Sequence, residues 1–139
     1  MALKMTIPDL EVFLKDVFPQ VQEDFAIEDL SEDEITVRLK VSEKHLRPGG
    51  TVSGPSMFGL ADVCFYLVIL ANVGPKALTV TTNCSIDFMR KPAAKDLIAK
   101  ARLLKLGKAL AVGDVLLYSD GMQKPVAHAN VTYSIPPKD

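Results

Sequence analysis

The chain of 139 residues has two cysteines, two histidines and no tryptophan. Cys64 and Cys84 stand in apolar or β-branched surroundings, where a free thiol packs as a small hydrophobe, so no disulfide framework is expected. His45 and His128 have no cysteine at a ligand-like spacing, which leaves no structural zinc site and no metal among the expected cofactors. The longest apolar run, Met57 to Ala71, falls short of the ~20 residues that cross a bilayer and reads as a buried helix. The first ten residues, MALKMTIPDL, hold neither an apolar signal core nor an Arg- and Ser-rich presequence, from which a cytoplasmic protein without a membrane partner is expected. A net charge of -1 and the lack of a recognisable motif argue against a nucleic-acid partner.

With 48% hydrophobic and 24% charged residues the composition is that of a folded globular chain, and the length suits one domain over residues 1–139. Charge is unevenly spread. Asp9 to Glu34 is mainly acidic, whereas Arg90, Lys91, Lys95, Lys100, Arg102, Lys105 and Lys108 make the second half basic. Such a cluster suits a phosphate-bearing ligand, or equally a set of solvated strand faces.

Thr6 followed by Pro8 and an acidic first turn predicts a short helix that ends near Pro19. The segments DFAIEDL and EITVRLKV read as a hairpin, because Ile35, Val37, Leu39 and Val41 alternate with polar residues. A Gly- and Pro-bearing loop, Ser42 to Gly50, leads to a long apolar helix starting at Gly54 or Pro55 and stopped by NVGPK. Beyond it lie only strands: one on which Val80, Thr82, Cys84, Ile86 and Phe88 alternate, then Leu97 to Leu106, Leu110 to Tyr118, the turn signal Ser119 to Gly121, and Val126 to Ile135. These are expected to run as a meander of three or four strands. A helix so apolar must be covered nearly all round, and a curved antiparallel sheet wrapped about it achieves that: an α+β architecture of the hotdog type.

Within the apolar run stands one charge, Asp62. Burying a carboxylate costs several kcal/mol unless it is paired, so its place there points to a base or nucleophile. Alternatively, it occupies a narrow exposed stripe with Gly59 and Tyr66. Ser53 is positioned to cap the helix, and Gly54, ahead of Pro55, offers a backbone N–H at the helix N-terminus that can polarise a carbonyl. Gly54 and Asp62 are eight residues apart, about 12 Å along a helix, too far to serve one carbonyl. A site using both takes two chains with antiparallel central helices, which predicts an obligate homodimer with sheets joined edge to edge.

The stretch GTVSGPSMFGLAD, Gly50 to Asp62, and the later TTNCSIDFMRKPAAKDLIAKARLLKLGKALAVGDVLLY resemble the hotdog-fold acyl-CoA thioesterases of the phenylacetyl-CoA thioesterase (PaaI) type. The resemblance covers roughly residues 41–135 and implies hydrolysis of an acyl-CoA to acid and CoA, with no cofactor beyond the substrate's own CoA. By it, Asp62 takes the place of the general base or nucleophile, Gly54 that of the carbonyl-polarising N–H, and Thr81 that of a hydroxyl orienting water. It places Arg90, Lys91 and Lys108 near the CoA phosphates. Asn83, two residues beyond Thr81, is expected on the same strand face and in the same cavity. Met57, Phe58, Phe65 and Tyr66 are candidates to line an acyl tunnel or to pack the core. Three positions depart from the family pattern: Ser53 stands for a His, Pro55 for a Gly and Arg47 for an Asn, so Ser53 and Arg47 occupy substrate-side positions with altered chemistry. Two other functions fit the same fold: a non-catalytic acyl-CoA binding or sensing module, and a dehydratase, which the lack of a His near the helix disfavours. A dimer of dimers, a homotetramer, stands as the alternative to a simple homodimer.

Overall fold

The computed structural model describes residues 3–20 and 22–137. Helix α1 (Ile7–Val17) starts at a reciprocal cap: the Asp9 N–H donates to Thr6 Oγ1 at 3.2 Å, and the Thr6 N–H donates to the Asp9 carboxylate at 3.0 Å. Its buried residues are Leu10 and Leu14, and Pro19 follows its end. Strands β1 (Phe25–Leu30) and β2 (Glu34–Leu39) form the expected hairpin, with Ile35, Val37 and Leu39 turned inward.

Helix α2 (Gly54–Val73) is capped by Ser53, whose hydroxyl accepts from the Ser56 N–H. It stops at Gly74, whose φ of 95° only a residue without Cβ adopts cheaply. By length and composition α2 could span a bilayer, yet 11 of its residues are buried against the sheet. Four strands follow: β3 (Val80–Phe88), β4 (Leu97–Leu106), β5 (Leu110–Ser119) and β6 (Ala127–Ser134).

All six strands form one antiparallel sheet in the order β1-β2-β4-β5-β6-β3, wrapped around α2 as a hotdog fold. The meander is therefore β4-β5-β6 alone. The edges of β4 are taken by β2 and β5, so β3 pairs with the remaining edge of β6, and of the three- and four-strand meanders expected the shorter one is formed. This leaves β3 as a free sheet edge among the described residues. The sheet approaches the helix closely because its inward residues are small: Ala99 and Ala101 on β4, Ala111 and Gly113 on β5, Ala127 and Ala129 on β6, all buried.

On the outer face, Asp114 accepts a bidentate pair from Arg102 (3.1 and 3.0 Å) and lies 3.0 Å from His128 Nε2. Burial alone would raise its carboxyl, but the bonds to Arg102 and His128 outweigh that and hold it below the ordinary carboxylate value. A depressed folded-state value gives stability that is present above the unfolded value of about 3.9 and is lost as pH falls through the folded one. Asp114→Asn therefore lowers Tm by about 2–5 °C at pH 7, a modest effect because Arg102 is solvated. The gap from wild type narrows as pH falls below the unfolded value of about 3.9 and closes once the folded-state carboxyl is itself protonated. A series of melting curves from pH 7 downward checks this, and a gap that does not narrow in acid would contradict it.

Candidate active site

One stripe of α2 escapes the sheet. Pro55, Phe58, Gly59, Asp62 and Val63, at helical spacing, are all partly or fully exposed. Asp62 sits on this stripe and is bonded as well: Thr81 Oγ1 donates to its Oδ1 at 2.5 Å, and Tyr133 Oη donates to the same oxygen at 2.7 Å. The Tyr133 hydroxyl also lies 2.9 Å from the Asp62 carbonyl oxygen. The carboxylate thus lies with Gly59 on the open stripe at the edge of the apolar helix face, held by two hydroxyls, while Tyr66, expected on the same stripe, is buried.

A β-bulge in β3 aims Thr81. Thr81 stands opposite Tyr133 on β6, but Asn83 stands opposite Thr132, so Thr82 is an extra residue in the ladder. Thr81 faces inward before the bulge, whereas Cys84, Ile86 and Phe88 share the inner side after it, opposite Val131, Ala129 and Ala127. The expected alternation accordingly slips by one at Val80 and Thr82. Asn83, expected on the Thr81 face, lies on the opposite one, exposed and outside the cavity at Asp62.

That cavity, about 520 Å³, is bounded by Asp62, Tyr66, Thr81 and Tyr133, by Val17 and Phe18 at the end of α1, and by the segment Ala77 to Val80. Its lining is mostly apolar. Tyr66 Oη donates to the Ala77 carbonyl at 3.1 Å, and Thr79 Oγ1, buried beside it, has no hydrogen-bond partner among the described residues. Of the aromatic and Met candidates for an acyl tunnel only Tyr66 reaches this space; Phe65 is core, Phe58 is on the open stripe, and Met57 borders a different cavity. Tyr133 is 2% exposed and packs between Phe65 and Tyr66, at ring-centroid distances of 5.7 and 6.2 Å. Burial and the neighbouring Asp62 charge push its hydroxyl far above the ordinary tyrosine value, which keeps it a proton donor. Burial, and secondly Asp62, also raise the Cys84 thiol, so it is not a thiolate nucleophile at neutral pH.

Gly54 borders a second cavity of about 570 Å³, with Arg47, Arg90, Lys91 and Phe88. At this helix end Pro55 has no N–H and the Ser56 N–H is occupied by Ser53, at 3.3 Å. Ser53 Oγ in turn donates to Ser56 Oγ at 2.9 Å, which makes Ser53 a capping residue. Among the described residues the Gly54 N–H is the unoccupied donor of the first turn. The loop carrying Arg47 is pinned by Arg47 N–H to Thr51 O (2.8 Å) and Gly50 N–H to Arg47 O (3.0 Å). Arg90 Nη1 donates to the Pro125 carbonyl at 2.8 Å. Among the described residues no carboxylate pairs with Arg47, Arg90 or Lys91, so the cavity is cationic.

Lys108 does not join them in one chain. Phe88 pairs with Ala127, near Arg90, whereas Val80 pairs with Ser134, which pairs with Leu110. The β4–β5 turn holding Lys108 is thus at the Val80 end of the sheet, the end where Thr81 meets Asp62. Each chain carries two separate cavities: an apolar one with a carboxylate and a cationic one with a free N–H. Tyr133 is the residue that reasoning from sequence overlooked; its alternation with Val131 and Ile135 marks it as inward, but nothing local reveals Thr81 as its cross-strand partner.

Residues 49–126, over half of the chain, match the family model described as the thioesterase superfamily. A Pseudomonas aeruginosa protein named as an esterase is 30% identical over 104 residues, 74% of this chain and 76% of the relative. A crystal structure of a protein named as a thioesterase from Silicibacter sp. TM1040 is 59% identical, covers 99% of this chain and 96% of its own, and superposes with a TM-score of 0.92. An N33D mutant structure of the phenylacetic acid degradation protein PaaI from Thermus thermophilus is 28% identical, with a TM-score of 0.73 over 85% of this chain and 99% of its own. By these matches the chain belongs to the thioesterase superfamily, whose chemistry is thioester hydrolysis.

Proposed function

We propose that this protein hydrolyses acyl-CoA thioesters at two equivalent sites, each assembled from two copies of the chain. The observation that carries the reading is Asp62, a carboxylate anchored through Oδ1 at the mouth of an apolar cavity. Two features support assembly across a twofold axis. The open stripe of α2 exposes Phe58 at 39%, and the free edge β3 exposes Val80 at 52% and Phe88 at 53%, apolar surface of the kind a second copy covers. Antiparallel packing of two α2 helices sets Asp62 of one copy opposite Gly54 of the other.

In that arrangement the acyl group enters the cavity beside Asp62, and the CoA phosphates extend toward Arg47, Arg90 and Lys91 of the copy that supplies Gly54. Lys108, at the Asp62 end of its own sheet, approaches from the other copy. The thioester carbonyl oxygen accepts from the Gly54 N–H. Asp62 takes a proton from water, the hydroxyl oxygen bonds to the carbonyl carbon, and the electron pair returns from the oxygen as the C–S bond breaks. The proton passes from Asp62 to the CoA thiolate, so one ester and one water give one acid and one thiol. CoA is a good leaving group, and no further nucleophile is needed.

Thiol release from a panel of short, medium, long-chain and aryl acyl-CoAs, followed with a chromogenic thiol reagent, tests this reading. A non-catalytic acyl-CoA module is the other reading, favoured by the Ser53 hydroxyl, which is spent on the helix cap. Binding of CoA esters without release of thiol from any of them would establish that one instead. A further prediction follows from the cationic cavity: Arg90→Ala with Lys91→Ala raises KM for acyl-CoA about tenfold at low salt with little change in kcat, and the difference shrinks as ionic strength rises. An unchanged KM would remove these residues from the CoA site.

A further inference from the structure

We infer that Tyr133 is a positioning residue: with Thr81 it locks Oδ1 of Asp62, so that Oδ2 is the oxygen that meets water. This inference rests on the hydrolytic reading above. Two donors converge on one carboxylate oxygen, Thr81 Oγ1 at 2.5 Å and Tyr133 Oη at 2.7 Å, and no protein group among the described residues bonds the other. The Tyr133 hydroxyl additionally bridges to the Asp62 backbone carbonyl at 2.9 Å, so it fixes the side chain relative to its own helix turn. The Thr81 proton is committed to the carboxylate rather than to a water, a different task from the water-orienting one implied by the family resemblance.

The tyrosine is itself rigid. Its ring is buried between Phe65 and Tyr66, so the hydroxyl cannot swing away without disturbing the core. A carboxylate free to rotate about its Cβ–Cγ bond would offer either oxygen in many orientations; one held at a single oxygen offers the other in a fixed direction, toward the cavity. Tyr133 lies on β6 beyond residues 49–126, the segment matched by the family model, so its role is read from this chain's own geometry.

The test is a kinetic cycle on acyl-CoA hydrolysis with wild type, Tyr133→Phe, Asp62→Asn and the double variant. Removing only the hydroxyl is expected to lower kcat about 10–100-fold while KM changes less than about threefold, because the group touches Asp62 and not the substrate. In the Asp62→Asn background the same change is expected to have no further effect on residual turnover. An unchanged kcat in Tyr133→Phe, or an equal loss in both backgrounds, would overturn the assignment. Melting of wild type, Tyr133→Phe, Asp62→Ala and their double variant reads the contact separately from catalysis, because Ala removes the acceptor oxygen: non-additive Tm shifts are expected, and strictly additive shifts would overturn the assignment. Lack of turnover by wild type on every ester would remove the hydrolytic reading and this assignment with it, whereas an active wild type with an unaffected Tyr133→Phe would sink the assignment alone.

Discussion

Asp62→Asn lowers kcat for acyl-CoA hydrolysis by about 10³-fold, within the range that a positioned general base contributes, and leaves the fold intact. The substitution is nearly isosteric. Its amide oxygen accepts from Thr81 and Tyr133 as the carboxylate oxygen does now, so the anchor survives, but an amide nitrogen cannot take a proton from water. The loss therefore falls on kcat, with binding of the ester retained. Circular dichroism and an elution volume equal to that of wild type serve as controls for folding, and retention of more than a tenth of wild-type turnover would mean that Asp62 is not the base.

Gly113→Ala is expected to be the most damaging small substitution in the sheet, costing about 3 kcal/mol and lowering Tm by about 10 °C. Gly113 lies on β5 under the ring of Phe65, where a Cβ would collide with the Arg102 carbonyl oxygen and the ring edge. Backbone cannot rotate out of the way, and Phe65 is fully buried with no free space to enter. The strain also travels toward the site. Phe65 packs on Tyr133, which holds Asp62, so turnover of the surviving folded protein drops as well. Urea unfolding of the two proteins measures the cost, and a difference below about 1 kcal/mol would show that the sheet can move aside. Gly121, whose φ of 84° is otherwise unconstrained by neighbours, makes a useful contrast for backbone strain alone.

Much of the architecture was legible because it rests on local signals. The Thr6 cap, the Gly74 stop and the alternation of Ile35, Val37 and Leu39 are each written in a few adjacent residues. Asp62 and Gly54 stood out for the same reason, one as a charge in an apolar run and the other as the residue between a cap and a proline. What escaped is non-local. The place of β3 beside β6 depends on which edges other strands leave open, and the Thr82 bulge that sends Asn83 outward appears only when β3 and β6 are laid in register. Tyr133 reaches Asp62 across 71 positions of sequence, and no pattern within β6 announces that contact. The cavity beside Asp62 also draws Val17 and Phe18 from a helix that is remote in sequence.

The account turns on one claim, that Asp62 and Gly54 serve the same carbonyl from different chains. Complementation tests it directly. Gly54→Pro removes the donor while suiting the first helical turn, Gly54→Ala keeps the donor as a control for bulk, and Asp62→Asn removes the base. Each of the two inactive proteins, alone, should turn over at a small fraction of the wild-type rate. Unfolded together and refolded at equal amounts, about half of the dimers are mixed and hold one intact site of two, so the mixture should recover about a quarter of wild-type activity. No recovery from a mixture in which mixed dimers are demonstrably present would contradict the account and place both groups in a single chain's site.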